Sequence, residues 1–255
     1  MSLLRSVVLT ASFNLIVAAA AMAQPLRVAA ASDLQVALPA IAAGFEKATG
    51  HEVAVTFGSS GNFFTQVQNG APFDVFLSAD SDYPRELERD GQAEKGSLYR
   101  YATGRIVLWV RNDSAIDLTR GLAVLADPGV RTIAIANPDH APYGRAAVAA
   151  LHHAGVHGRV QAKLVRGENI SQAAQFVQSG NADAGIVALS LALAPALKTS
   201  GRYVEIPESF YPPIEQAAVV IAASKQKAVG KQFVEFLKQP ESARTLQKFG
   251  FDVSK

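Results

Sequence analysis

From residue 26 to residue 248 the chain alternates short apolar runs with longer amphipathic stretches, and no other feature limits the possible folds so strongly. The runs at 26–31, 52–57, 74–77, 106–110, 132–136, 162–165, 184–187, 203–206 and 217–222 read as strands. After the first run, Leu34, Leu38, Ile41, Ala42 and Phe45 share one helical face, and Thr49-Gly50 ends that helix. Further helices are expected over 62–68, 83–89, 144–154, 169–178, 189–198 and 228–238, with a last one running from Pro240 to Lys248. Strand–turn–helix repetition predicts an α/β fold with mainly parallel sheets flanked by helices. No Gly/Ser linker divides the chain, so two lobes would be joined by ordered crossings, best placed at 101–104 and 211–215.

Residues 1–23 obey a different logic. Arg5 is their only charge, the run from Val7 to Ala20 is broken only by Thr10, Ser12 and Asn14, and the segment closes on Ala21-Met22-Ala23. This is the pattern of a secretory signal peptide cleaved after Ala23. The run falls short of the roughly 20 residues that span a bilayer. No Cys follows, which excludes a lipid anchor on an N-terminal Cys. The mature chain, 24–255, is expected to be soluble and exported. Absence of cysteine also excludes disulfides, thiolate metal sites and a cysteine nucleophile, so stability must come from the core. A net charge of +2 gives no footing for nucleic-acid binding.

The informative chemistry lies where strands hand over to helices. Ser32 follows the first strand and reads either as a simple N-cap or as part of an anion site, because the N–H groups after it lack intrahelical partners. Gly58-Ser59-Ser60-Gly61 repeats the arrangement with two hydroxyls and little bulk, and equally reads as a turn with a cap. Pro138-Asp139-His140-Ala141-Pro142-Tyr143-Gly144 and Gly167-Glu168-Asn169-Ile170 are two more such junctions. Arg145 is either an oxyanion clamp or a solvated first-turn residue. Ligands of open α/β sheets bind at the carboxyl ends of parallel strands, where these junctions would lie.

Four segments carry a resemblance to a known family: Ala29-Ala30-Ala31-Ser32-Asp33-Leu34, Phe57-Gly58-Ser59-Ser60-Gly61, residues 70–80 (Gly70-Ala71-Pro72-Phe73-Asp74-Val75-Phe76-Leu77-Ser78-Ala79-Asp80) and residues 137–144. Phe249-Gly250-Phe251 fits as well. In order along the whole mature chain they resemble the ModA family, the molybdate-binding periplasmic proteins of ABC transporters. The resemblance implies a two-lobed periplasmic binding protein of type II, with lobe I over 24–103 and 217–255, lobe II over 104–216, and a ligand cleft between them. It implies a monomer that delivers its cargo to an inner-membrane permease. It matches Ser32 and Ser60 to hydroxyl ligands, and Tyr143 and Ile170 to positions whose backbone N–H groups bind the oxyanion.

Two departures from the family pattern bear on that ligand set. Ala188 follows the Gly185-Ile186-Val187 strand where some members place a tyrosine hydroxyl, so either the donor count is lower or Ser59 or a backbone group compensates. Asp33 would repel a dianion, so its side chain is expected to face outward or cap the helix while its N–H serves the ligand. A carboxylate inside the shell would instead favour hydrogen phosphate over molybdate. Molybdate and tungstate are nearly equal in size and are expected to bind alike, whereas sulfate is smaller.

An enzyme finds little support. The five histidines, His51, His140, His152, His153 and His157, form no His-Glu-x-x-His pattern and read as surface or helix-end residues. Ser60 lacks the spacing of a nucleophile elbow, and no phosphate-binding Gly-x-x-x-x-Gly-Lys-Ser/Thr loop occurs, so a hydrolase is the weaker alternative. No cofactor or cation site is expected. Trp109, the only tryptophan, reads as core packing rather than a stacking wall for an organic ligand.

Overall fold

The computed structural model of the protein describes residues 24–253. The expected signal peptide, 1–23, lies outside the described residues. In chain order the strands are β1 (Leu26–Ala31), β2 (Val53–Gly58), β3 (Val75–Ser78), β4 (Tyr99–Gly104), β5 (Ile106–Arg111), β6 (Ile133–Ala136), β7 (Leu164–Gly167), β8 (Ala184–Ala188), β9 (Gly201–Glu205) and β10 (Ile214–Val220). They form two five-stranded sheets, ordered β2-β1-β3-β10-β4 and β7-β6-β8-β5-β9. The helices are α1 (Leu38–Thr49), α2 (Ser60–Gln68), α3 (Asp82–Arg89), α4 (Pro142–His153), α5 (His157–Val160), α6 (Ile170–Gln178), α7 (Leu189–Ala192), α8 (Pro195–Ser200), α9 (Lys227–Leu237) and α10 (Pro240–Lys248).

The α/β class and the pair of sheets agree with expectation, but the sheets are evenly mixed rather than mainly parallel. Each contains two parallel and two antiparallel pairings. The antiparallel share arises because the chain changes sheets. Having built β1–β4 in the first sheet, it passes through Arg105 into β5 of the second, and returns after β9 to insert β10 between β3 and β4. β10 starts at Ile214, so the first sheet already holds residues 214–216, just ahead of the expected boundary between 216 and 217.

Burial explains the first sheet. In β1, Val28 and Ala30 pack under α1, α9 and α10, while Ala29 faces the opposite side with Phe63, Phe76 and Leu87. That alternation, apolar on both faces, is what a sheet covered by helices on both sides requires. Phe45 of α1 meets Phe233 and Phe236 of α9 edge-on, with centroids 5.1 and 5.6 Å apart. Gly50 ends α1 at φ 74°, a conformation that favours glycine. Trp109 is fully buried in β5, in the core of the second sheet.

Three local expectations change. Ser32 is not the cap of a long helix: a short 3₁₀ turn, Ser32–Val36, intervenes, and α1 begins only at Leu38 with Pro39 in its first turn. The helix expected over 189–198 is two short ones, split where Pro195 opens α8 with extended backbone at Ala194. The segment 101–104, expected as a crossing, is part of edge strand β4.

Candidate functional site

The four junctions converge. β1 delivers Ser32 and Asp33, β2 delivers Ser59 and Ser60, and from the second sheet β6 and β7 lead into the starts of α4 and α6. One small cavity is lined by Ser32, Asp33, Ser59, Ser60, Tyr143 and Ile170 together with Gly58, Ala79, Pro142 and Asn169. All six residues expected at the site are therefore brought together. The free space is about 10 Å³, the room of a single water, so the two faces must part to admit anything larger.

The first-sheet face offers side-chain hydroxyls. Ser60 is buried, and its Oγ accepts the N–H of Ala79 at 2.9 Å, which leaves its proton free to donate. Ser32 Oγ donates to Asn169 Oδ1 at 3.2 Å and accepts the N–H of Ser171 at 3.4 Å. The second-sheet face offers backbone N–H groups. Tyr143 and Ile170 occupy the first turns of α4 and α6, where N–H groups have no intrahelical acceptor and the helix dipole favours an anion. Asn169 caps α6 by accepting from Ser171 and Gln172, both at 3.0 Å, and so leaves the N–H of Ile170 to the cavity. Gly144 must be glycine, because a Cβ there would run into the carbonyl of Ala136.

Further contacts bind the two faces at the rim. Gly61 N–H donates to the His140 carbonyl at 2.9 Å, and Ser59 Oγ donates to the same oxygen at 2.7 Å. The His140 ring nitrogen Nδ1 lies 2.8 Å from Ser59 Oγ. The other ring nitrogen, Nε2, lies 3.0 Å from the Asn137 amide and 3.9 Å from the Glu168 carboxylate, and the Ser59 proton goes to a carbonyl. Arg145 is not a clamp on the cavity; it stays exposed in the first turn of α4, as the solvated reading expects. It reaches across to Asp80 and to the Tyr83 hydroxyl, with its guanidinium carbon 5.6 Å from the Tyr83 ring centre. Asn62 pairs with Glu168 and Ser171 Oγ donates to Gln35 at 2.7 Å across the same seam.

Asp33 departs most from expectation. It neither faces outward nor caps a helix; it is completely buried beneath the cavity. Tyr143 OH donates to its Oδ2 at 3.0 Å, and Gln216 Nε2 donates to the same oxygen at 2.6 Å. Tyr101 OH donates to Gln216 Oε1 at 2.8 Å, which fixes the amide with its nitrogen toward Asp33. Ser190 Oγ holds the Asp33 carbonyl at 2.8 Å. Burial raises the Asp33 carboxyl from its usual 3.8 to about 6, against the lowering pull of the Gln216 and Tyr143 donors and the nearby N–H groups of Asp33 and Leu34. Burial likewise holds the Tyr143 and Tyr101 hydroxyls well above their usual range, so both remain protonated donors. Gln216 went unread in the sequence and His140 was read only as a surface or helix-end residue; partners more than 80 residues away, Asp33 and Ser59, reveal their place.

Ala188, where a hydroxyl was expected to be missing, is buried at the end of β8 and does not line the cavity. Among the described residues no cluster of His, Cys, Asp and Glu is arranged to hold a metal ion, and no helix is long and apolar enough to cross a membrane.

Comparison with known proteins places this geometry. A family model described as bacterial extracellular solute-binding protein matches residues 26–252. Molybdate-binding protein ModA of Azotobacter vinelandii is 40% identical over 236 residues, covering 92% of this chain and 93% of its own length. Its namesake in Rhodobacter capsulatus is 40% identical over 83% of this chain and 81% of its own. The solved structure of the Azotobacter vinelandii periplasmic molybdate-binding protein superposes with a TM-score of 0.85 at 37% identity, over 90% of this chain and 100% of that one.

Proposed function

The chain belongs to the bacterial extracellular solute-binding proteins, within the ModA family, and on that premise we propose that it captures molybdate outside the cytoplasm for an ABC transporter permease. The observation that carries this reading is the convergence of Ser32, Ser60, Tyr143 and Ile170, from two different sheets, on one cavity. Ser32 and Ser60 donate hydroxyl protons to the oxyanion, Tyr143 and Ile170 donate backbone N–H groups, and Ser59 becomes a further donor only by giving up its bond to the His140 carbonyl. An entering ligand exchanges the Ser32–Asn169 bond for its own oxygen. Neutral dipoles of this kind hold a dianion without a contacting cation. Each charge-assisted bond contributes about 1.5–3 kcal/mol.

The lobes are 24–104 with 214–255 and 105–213, moved to the ends of β4 and β10, and closure on the ligand completes the shell. The protein acts as a periplasmic monomer after cleavage following Ala23, presents both lobes to the permease, and catalyses no reaction. Selection against sulfate comes from size, since Mo–O bonds are longer than S–O bonds; tungstate binds like molybdate. One observation favours a second reading. A carboxylate at the cavity, Asp33, suits a ligand that carries its own proton, and hydrogen phosphate is such a ligand.

Titration calorimetry on residues 24–255, stripped of ligand by unfolding and refolding, tests both readings at neutral pH. Tight molybdate and tungstate binding with negligible sulfate and phosphate heat supports the first. Binding of phosphate or sulfate without molybdate overturns it.

A further inference from the structure

The residue that fits the site least, Asp33, carries the inference. It is fully buried, it lines the cavity, and its Oδ1 makes no hydrogen bond. Both available donors, Tyr143 OH and Gln216 Nε2, converge on the other oxygen, Oδ2. Among the described residues no Lys, Arg or His pairs with it. A buried, half-satisfied carboxylate beside a site for a dianion is a double penalty, from desolvation and from like charge. One proton removes both. Placed on Oδ1, it leaves Oδ2 as the carbonyl oxygen of a neutral acid, still accepting from Tyr143 and Gln216, and it turns the unpartnered atom into a donor.

We propose that Asp33 serves the oxyanion as a neutral acid, donating from Oδ1, so that capture of the dianion draws a proton from solvent onto this side chain. This rests on the molybdate reading above. The free protein is already close to the required state, since the burial that raises the Asp33 carboxyl brings it to about 6 before any ligand arrives. A nearby dianion raises it further. Of the groups facing Asp33, Tyr143 from α4 and Tyr101 from β4 stay protonated, Gln216 from β10 and Ser190 from α7 do not titrate, and Asp80, whose carboxyl burial also raises, is held against Arg145, so it must be separated by the Asp33 variant. His140 lies at the rim, its ring on Ser59 rather than on Asp33, and is a side chain the test must separate.

The affinity consequence has a definite sign. Above about pH 6 free Asp33 is ionised while bound Asp33 is neutral, so binding takes up a proton and tightens as pH falls. The limit is about tenfold per pH unit, with one proton taken up per ligand. Molybdate should be titrated into the mature protein between about pH 6.5 and pH 8.5, in two buffers of different ionisation enthalpy at each pH, a range over which molybdate stays a dianion. Wild type is expected to take up close to one proton per molybdate and to lose affinity as pH rises. Asp33→Asn keeps an acceptor for Tyr143 and Gln216 and puts a permanent N–H donor at the Oδ1 position. It is expected to bind molybdate with flat pH dependence, at the affinity wild type reaches at the acid end, and with no proton uptake. Buffer-independent heats and pH-independent affinity in wild type overturn the proposal without needing the variant. A pH dependence that survives in Asp33→Asn overturns it, whichever other group carries the proton. Failure of wild type to bind molybdate at any pH, with phosphate binding instead, overturns the molybdate reading itself and is recognised by the absent molybdate heat.

Discussion

The two faces of the cleft offer an anion different parts of the polypeptide. The first-sheet face presents side chains, the hydroxyls of Ser32, Ser59 and Ser60. The second-sheet face uses main chain, the N–H groups at the starts of α4 and α6, while the side chains of Tyr143 and Ile170 are packed away in the core. The first face can be edited by changing residue type. The second is written into the helix termini and survives most substitutions, because every residue except proline supplies the same N–H. A site divided in this way is specified partly by sequence and partly by fold.

The comparison breaks most drastically if the faces cannot meet. A Cβ at Gly61 would lie 2.7 Å from the His140 carbonyl oxygen and 2.8 Å from the Tyr83 hydroxyl. Gly61→Val should therefore hold the faces apart and reduce molybdate affinity by more than about 100-fold, a cost above about 3 kcal/mol. Calorimetry measures the loss, and unchanged thermal unfolding of the ligand-free protein would place it in closure rather than folding.

Next in size is a matched test of the two faces. Ser32→Ala and Ser60→Ala each remove a hydroxyl and should weaken binding by about 1.5–3 kcal/mol, or roughly 10- to 150-fold. Ser60→Ala also strands the N–H of Ala79 and should be the more destabilising of the two. On the other face, Ile170→Val should leave affinity within about threefold, whereas Ile170→Pro should cost as much as a serine deletion. Proline suits this first helical position, and Asn169 before it already has the extended φ −150°, ψ 177° that proline demands. Equal losses for Val and Pro at position 170 would mean that the side chain, not the N–H, matters.

A stability effect follows from Asp33. Its carboxyl is raised to about 6 in the folded chain, above its unfolded value, so between about pH 4 and pH 6 the folded state holds the extra proton. The contribution is fully present below the unfolded value and is lost as pH rises through about 6. On the order of 2–3 kcal/mol is at stake. Denaturant unfolding of ligand-free protein should therefore show Asp33→Asn gaining on wild type at pH 7 relative to pH 4.5. A constant difference at both pH values would refute this. The smallest effect is expected at the rim. The Arg145 side chain is 44% exposed, and exposed ion pairs contribute about 0–1 kcal/mol, so Arg145→Ala should weaken binding by at most about fivefold.

Much of this was legible in the sequence, for local reasons. Strands such as 106–110 and 184–187 announce themselves as continuous apolar runs because they are buried on both faces. The end of α1 is legible because Gly50 takes a positive φ that few other residues adopt. Edge strand β4 was not legible: Tyr99-Arg100-Tyr101-Ala102-Thr103-Gly104 is half polar, as an edge paired on one side can be. The four expected ligand positions were found through motifs, and the structure gathers them around one cavity. Asp33 was misjudged because its surroundings are assembled by Tyr143 and Gln216, 110 and 183 residues away. His140 was read as a surface residue for the same reason, since Ser59 stands 81 residues before it. Local pattern reveals which residues can bind an anion; only the fold reveals which of them are buried against one another.

The account's central claim is that one oxyanion sits between these two faces. The most direct test is a crystal structure of the mature protein grown with molybdate, with diffraction collected on both sides of the molybdenum absorption edge. The account predicts a single strong anomalous peak in the cleft, within hydrogen-bond reach of Ser32 Oγ, Ser60 Oγ and the backbone nitrogens of Tyr143 and Ile170. A peak outside the cleft, or a cleft occupied by an ion without molybdenum's anomalous signal, would contradict it.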